Sequence, residues 1–337
     1  MSAVLSQMLI QVDDRTQVGE ARRAAAHMTE VLAFDVTQRG KVALAVTEAA
    51  TNILKHAGSG KILLAPLMRG TTPGLELLAL DRGPGISNVM DSLRDGFSTA
   101  GSMGMGLGTL SRVSPSFDLY TQPGRGTALR LEVWGTATTP PTDKIELGAV
   151  CLPKAGEESV GDGWLLCQSG DDHTILVIDG LGHGPHAARA ARAATDAFAK
   201  HSTATPGALM QICHAALAST RGAAGAAARV DATKKQGTFA GIGNIACRVE
   251  STDERRQLVS HSGTLGHVMR RVQEFEFGFP AGALLILHSD GLTTRWSTAD
   301  YPGLMVRHAG LIAGVLYRDH ERGRDDVTVV VLKNLAS

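Results

Sequence analysis

Residues 46–58 read VTEAATNILKHAG, and two patterns are superimposed in them. Val46, Ala50, Ile53 and Ala57 recur at i, i+4, i+7 and i+11, the apolar stripe of an α-helix. Glu48, Asn52, Lys55 and His56, at i, i+4, i+7 and i+8, share the opposite face. Alone, that polar face is what any solvated helix shows. Ala21, Ala25, Met28 and Leu32 repeat the apolar stripe in an earlier helix. Downstream, apolar runs at 61–68, 75–80, 117–121 and 127–134 predict strands punctuated by TTPG and QPGRG turns. The strand at 75–80 runs into Asp81-Arg82-Gly83-Pro84-Gly85-Ile86, and the glycine-rich stretch GSMGMGLG at 101–108 precedes Gly126-Thr127. The amino-terminal part is therefore expected to lay helices over one face of a sheet.

The remainder predicts strands at 173–178, 245–250, 257–261, 283–288 and 327–332, with helices at 186–201 and 206–220, a mixed domain with antiparallel sheet. The monotonous RGAAGAAAR at 221–229 reads as a helix end or a small-residue packing surface. Carboxylates recur at strand ends: Gly161-Asp162, Asp179-Gly180 opening DGLGHG, Ser289-Asp290-Gly291, and Arg324-Asp325-Asp326. Each alone is an ordinary turn signal. Brought together by a buried sheet they would repel unless hard cations neutralised them, which points to a site for two metal ions with oxygen ligands.

At 337 residues the chain suits two domains of roughly 150 each. The boundary is expected in TATTPPTDKIE (136–146), giving domains at 1–136 and 147–337 with a linker at 137–146. Thirty-three basic against thirty-three acidic residues leave no net field to hold nucleic acid or an anionic membrane. Four dispersed cysteines argue against a disulfide framework or a zinc knuckle. With no signal-like start and no run of eighteen apolar residues, a cytoplasmic protein is expected.

The order of an E-x-x-x-N helix, D-x-G-x-G turn, glycine lid and terminal G-T resembles the nucleotide site of the GHKL ATPases, over roughly the first 135 residues. It is closest to the RsbT-like switch kinases and anti-sigma factors. The resemblance implies a Bergerat-type α/β two-layer sandwich binding ATP with Mg²⁺. Asn52 would ligate Mg²⁺, Asp81 would accept from the adenine amino group, and Gly83 and Gly85 would admit backbone to the base. Gly104, Gly106 and Gly108 would cover the phosphates, with Thr127 of the terminal G-T in the site. Physically, glycine N–H groups cradle anionic oxygens, and phosphoryl transfer needs an acceptor for the hydroxyl proton. Glu48, one turn before Asn52, is the candidate base.

GD, DGLGHG, SDG and RDDVTVVV resemble the PPM-type Ser/Thr phosphatases of the SpoIIE-like and RsbX-like branch, over about 147–335. That implies an α-β-β-α sandwich in which Asp162, Asp179, Asp290 and Asp325, with the Gly180 carbonyl, hold two Mn²⁺ or Mg²⁺ ions. These would activate water against phosphoserine or phosphothreonine. Asp179 and Asp290 are central to that catalysis. Leu181 stands where the eukaryotic branch has histidine, His183 lies close by, and no arginine matches that branch's phosphate-binding one. Together the resemblances imply a two-headed regulator, kinase and phosphatase, acting on STAS-domain antagonist proteins of a sigma-factor or stress-response switch. The alternative is a nucleotide-dependent binding module, anti-sigma or activator-sequestering, fused to an active phosphatase. A sensor histidine kinase is disfavoured, since no phosphoacceptor hairpin precedes the ATP site.

Overall fold

The computed structural model describes residues 7–93, 106–252 and 254–336. The chain divides into two compact units, one running to Pro141 and the other starting at Thr142.

In the first unit the order is β1 (Met8–Val12), α1 (Arg15–Val31), α2 (Val36–His56), β2 (Gly60–Arg69), β3 (Thr72–Asp81), α3 (Val89–Leu93), α4 (Leu107–Val113), β4 (Asp118–Gln122) and β5 (Gly126–Trp134). Asp14 starts α1 with a reciprocal capping box to Gln17, and Asp35 starts α2 by accepting from Gln38 N at 2.8 Å. The strands form one antiparallel sheet in the order β1-β2-β3-β5-β4. Ala21 and Ala25 of α1 and Val46, Ala50 and Ile53 of α2 are buried against Ile62, Leu64, Leu75, Leu77, Leu129 and Leu131. The result is a two-layer α/β sandwich, and Glu48 and Asn52 remain half-buried on the other side of α2. The edge strand β1 was not anticipated; its Ile10 and Val12 alternate into the same core.

The second unit runs β6 (Ile145–Leu152), β7 (Asp162–Ser169), β8 (Asp172–Gly180), α5 (Pro185–Lys200), α6 (Pro206–Ala216), β9 (Ala223–Asp231), β10 (Gln236–Ile242), β11 (Ala246–Glu250), β12 (Arg255–Leu258), β13 (Phe275–Gly278), β14 (Leu284–His288), α7 (Ala309–His320) and β15 (Val327–Asn334). Two antiparallel sheets, β13-β10-β9-β8-β7 and β12-β11-β14-β15-β6, enclose a core that includes Val177, Ala226, Phe239, Leu285, Leu287 and Val330. Helices α5 and α6 cover the first sheet, and α7 lies on β6 and β15 of the second, which makes an α-β-β-α sandwich.

Residues 221–229, expected as a helix end or packing surface, are mostly strand: β9 occupies the middle of the first sheet. Alanine favours helix in isolation, but burial on both faces overrides that preference. Ala224, Ala226 and Ala228 face the opposing sheet, while Ala223 and Ala227 face the helices. β12 ends at Leu258, short of the expected His261, which instead makes an isolated bridge to Ile242. No helix among the described residues is long and apolar enough to cross a membrane.

Candidate functional site

In the first unit the chemistry gathers where β3 ends against the start of β5. Asp81 Oδ1 accepts from Gly83 N at 2.8 Å and from Thr127 N at 3.1 Å, so the carboxylate is held between the turn and the strand. Thr121 Oγ1 accepts from Ile86 N at 2.9 Å, donates to Gly126 O at 3.1 Å, and lies 3.3 Å from Thr127 Oγ1. Gly124 N donates to Pro84 O at 2.8 Å. These contacts zip the DRGPGI turn to the QPGRG turn. Gly85, at φ +75°, passes so close that a Cβ would stand 2.4 Å from Gln122 O; at Gly126, at φ +86°, a Cβ would stand 2.1 Å from Asp81 O. Only glycine fits either conformation and either space.

Across from this turn, a Cβ on Gly106 would lie 3.7 Å from Asn52 Oδ1, so the start of α4 faces the polar side of α2. Gly108 is buried in the first turn of α4. Gly104 lies outside the described residues. Burial holds the Glu48 carboxyl above its ordinary range. Burial and Lys55 push His56 down while Asp81 pulls it up, so the end of α2 lies within reach of Asp81. Thr121, a hydrogen-bonding bridge here, carried no signal in the sequence beyond its place in a strand.

In the second unit the aspartates come from one end of both sheets. Asp162 opens β7 and pairs in register with Asp179 at the end of β8. β14 pairs His288 with Val329 of β15, which sets Asp290 just beyond one strand and Asp325 just before the other. Asp290, Asp325, Gly291, Thr293, Arg322 and Arg324 line an open cleft of about 480 Å³. Asn244 Nδ2 donates to Asp290 Oδ2 at 2.8 Å and orients it. Ser289 Oγ accepts from Thr328 N at 3.0 Å, tying the SDG turn to the start of β15.

The electrostatics fit a cation site. Burial, then Asp290, Asp325 and Asp326, push Asp179 up to about 7. Burial and Asp179 raise Asp162 well above the carboxylate range, and Asp162 Oδ2 is buried without a hydrogen-bond partner. An orphaned buried carboxylate oxygen among other carboxylates requires either a proton or a cation. Among the described residues no three His, Cys, Asp or Glu side chains are drawn into a closed ligand cluster; the aspartates are coupled through their charges. As an all-oxygen donor set they suit Mg²⁺ or Mn²⁺. Asp326 does something else. Its Oδ1 accepts from Lys154 N at 2.7 Å and its Oδ2 from Gly161 N at 2.8 Å, so it ties down both ends of the β6–β7 loop.

A pH dependence follows. An unfolded aspartate ionises near 3.8, whereas folded Asp179 keeps its proton up to about 7, so the folded chain binds more protons in that interval. Stability contributed by these raised groups is complete below about pH 4 and is lost as pH rises through about 7. In EDTA, the melting temperature of the second unit's transition should fall across this window, and millimolar Mg²⁺ should abolish the fall by replacing the proton. An identical pH slope with and without Mg²⁺ would remove the cation from the account.

Comparison with known proteins follows the same division. Residues 12–133 match the histidine kinase-like ATPase domain family, and residues 169–334 match stage II sporulation protein E (SpoIIE). The chain is 30% identical over 128 residues to serine/threonine-protein kinase RsbT of Bacillus subtilis (strain 168), spanning 38% of this chain and 96% of that protein. It is 24% identical over 142 residues to phosphoserine phosphatase RsbX of the same organism, spanning 42% of this chain and 71% of that protein. A solved chain of the bacterial stressosome superposes with a TM-score of 0.53 at 28% identity, over 57% of this chain and 100% of that one. RsbX in complex with magnesium gives 0.51 at 20% identity, over 58% and 98%, a likeness of fold. This chain therefore belongs to the RsbT-like histidine kinase-like ATPases through its first unit, and carries in its second a SpoIIE-type, PP2C-fold Ser/Thr protein phosphatase domain.

Proposed function

We propose that the chain is a bifunctional partner-switching regulator whose two heads add and remove phosphate on Ser or Thr of the same STAS-domain antagonist-type protein. The observation that supports the kinase half is the placement of Glu48, a half-buried carboxylate one turn from the proposed Mg²⁺ ligand Asn52 on the polar side of α2, where phosphoryl transfer needs an acceptor for the hydroxyl proton. In this reading Asp81 orients the adenine of ATP, and Gly83 and Gly85 bring backbone to the base. Gly104, Gly106 and Gly108 cover the phosphates, Thr127 closes the site, and Glu48 takes the proton from the attacking hydroxyl.

In the phosphatase head, Asp162, Asp179, Asp290 and Asp325, with the Gly180 carbonyl, would hold two Mg²⁺ or Mn²⁺ ions. When bound, such ions lower the pKa of water and balance charge on the phosphoryl oxygens. Asn244 keeps Asp290 turned, and the bond from Thr328 N to Ser289 Oγ ties the end of β14 to the start of β15. The kinship with RsbT and RsbX, a kinase and a phosphatase of one organism, supports placing opposed activities on one partner. Joining them in one chain raises the effective concentration of each head at that partner.

Glu48→Ala separates this reading from the binding module. ATP affinity should stay near wild type while single-turnover phosphate transfer to the partner drops by about 10²-fold or more, because the base acts on the hydroxyl and not on the nucleotide. Transfer at the wild-type rate in Glu48→Ala would leave the first unit a nucleotide-dependent clamp.

A further inference from the structure

A seryl or threonyl oxygen leaves phosphorus as a strongly basic alkoxide unless it is protonated as the bond breaks, so the phosphatase head needs a proton donor. Leu181, in the DGLGHG loop, cannot supply one. His288 is buried, its Nδ1 is engaged with the Ser289 carbonyl, and burial depresses it to about 4. His173 stands at the opposite end of β8, paired with Asp143.

His183, four residues past Asp179 in the loop before α5, is different. Its Nδ1 lies 2.6 Å from Glu157 Oε1, and both side chains keep partial access to water, at 44% and 29%. That contact turns Nε2 away from the carboxylate, the relation by which a carboxylate orients a catalytic imidazole. Two features hold the pair in place. Gly184, at φ +74°, leaves room for the acid, since a Cβ there would stand 2.9 Å from Glu157 Oε2. The loop carrying Glu157 is tied at Lys154 and Gly161 to Asp326, the residue next to the proposed ligand Asp325. His183 is also close enough to Asp326 for its charge to act there. The charged groups around it are thus Glu157 from the β6–β7 loop, Asp326 at the head of β15, and Arg221 before β9, whose guanidinium lies over Gly182.

We propose that His183, positioned by Glu157, donates the proton to the departing seryl or threonyl oxygen in the phosphatase head; the assignment rests on the phosphatase reading above. A water oxygen bonds to phosphorus as the bond from phosphorus to the side-chain oxygen breaks. The breaking pair stays on that oxygen, which takes the proton from Nε2. The proton shed by water passes to solvent, and the exposed imidazole is recharged from solvent, so phosphoserine and water give serine and inorganic phosphate.

The test compares leaving groups, using the full chain with Mn²⁺. A phosphoserine peptide needs protonation of its leaving oxygen; p-nitrophenyl phosphate, which releases a stable phenolate, does not. His183→Gln should lower kcat on the peptide by roughly 10²-fold or more while leaving kcat on p-nitrophenyl phosphate nearly unchanged. Glu157→Gln should show the same selective loss, smaller in size. An equal fall on both substrates, no fall on either, or a selective loss in His186→Gln instead would overturn the assignment. Wild-type protein that cleaves neither substrate with Mn²⁺ would overturn the phosphatase reading beneath it, a result distinct from all of these.

Discussion

Asp290→Asn should lower Mn²⁺-dependent release of phosphate from a phosphoserine protein by roughly 10²- to 10³-fold, while phosphoryl transfer from ATP continues. The size of the effect comes from both charge and orientation. Asp290 Oδ2 accepts from Asn244 Nδ2 at 2.8 Å, so an asparagine at 290 keeps that bond only by turning its own oxygen to Asn244. Its amide nitrogen then faces Asp325 and the cleft, where a cation requires oxygen. Cation affinity and turnover should fall together, measured by Mn²⁺ titration of the rate. Wild-type turnover with wild-type Mn²⁺ dependence in Asp290→Asn would mean that this carboxylate is not a ligand.

Asp81→Asn should weaken ATP binding by roughly 10²-fold or more, read by calorimetry. Oδ1 already serves Gly83 N and Thr127 N. An asparagine that keeps those two bonds must place its amide nitrogen where the second carboxylate oxygen was, and there a donor meets the adenine amino donor. Since the turn-to-strand contacts survive, the melting temperature should move little. Unchanged affinity would take Asp81 out of the nucleotide site.

The extent to which these features can be read before folding depends on whether a residue's role is local. The stripes of α1 and α2 are written in periodicity, because each helix buries one face, whereas β2, β3 and β5 show as apolar runs because consecutive residues are buried on both faces. α7 shows no period, since its residues from Ala309 to Arg318 are all buried and leave no polar face to mark one. β9 misleads for a related reason: a central strand packed on both sides needs small residues, and alanine imitates a helix. The aspartates at strand ends are visible because turn motifs carry them. Glu157, the bond by which Ser289 holds Thr328 and the loop-tying function of Asp326 are invisible, since each joins residues between 26 and 172 positions apart, and Asn244, 46 positions from Asp290, is barely visible. Asn244 alone left a trace, as the polar residue closing Gly-Ile-Gly-Asn between two apolar strands. Gly104 lies outside the described residues, so the part proposed for it rests on the motif.

Whether one chain both writes and erases the same mark is decided by mass spectrometry of a purified STAS-domain protein incubated with this chain, first with ATP and Mg²⁺ and then, after ATP is removed, with Mn²⁺. The expected result is one phosphate gained on a Ser or Thr of the partner in the first step and lost from that residue in the second. Glu48→Ala should block the gain, and Asp290→Asn should block the loss. A partner that binds but gains no phosphate, or a mark that the wild-type chain leaves in place through the second step, would contradict a bifunctional switch.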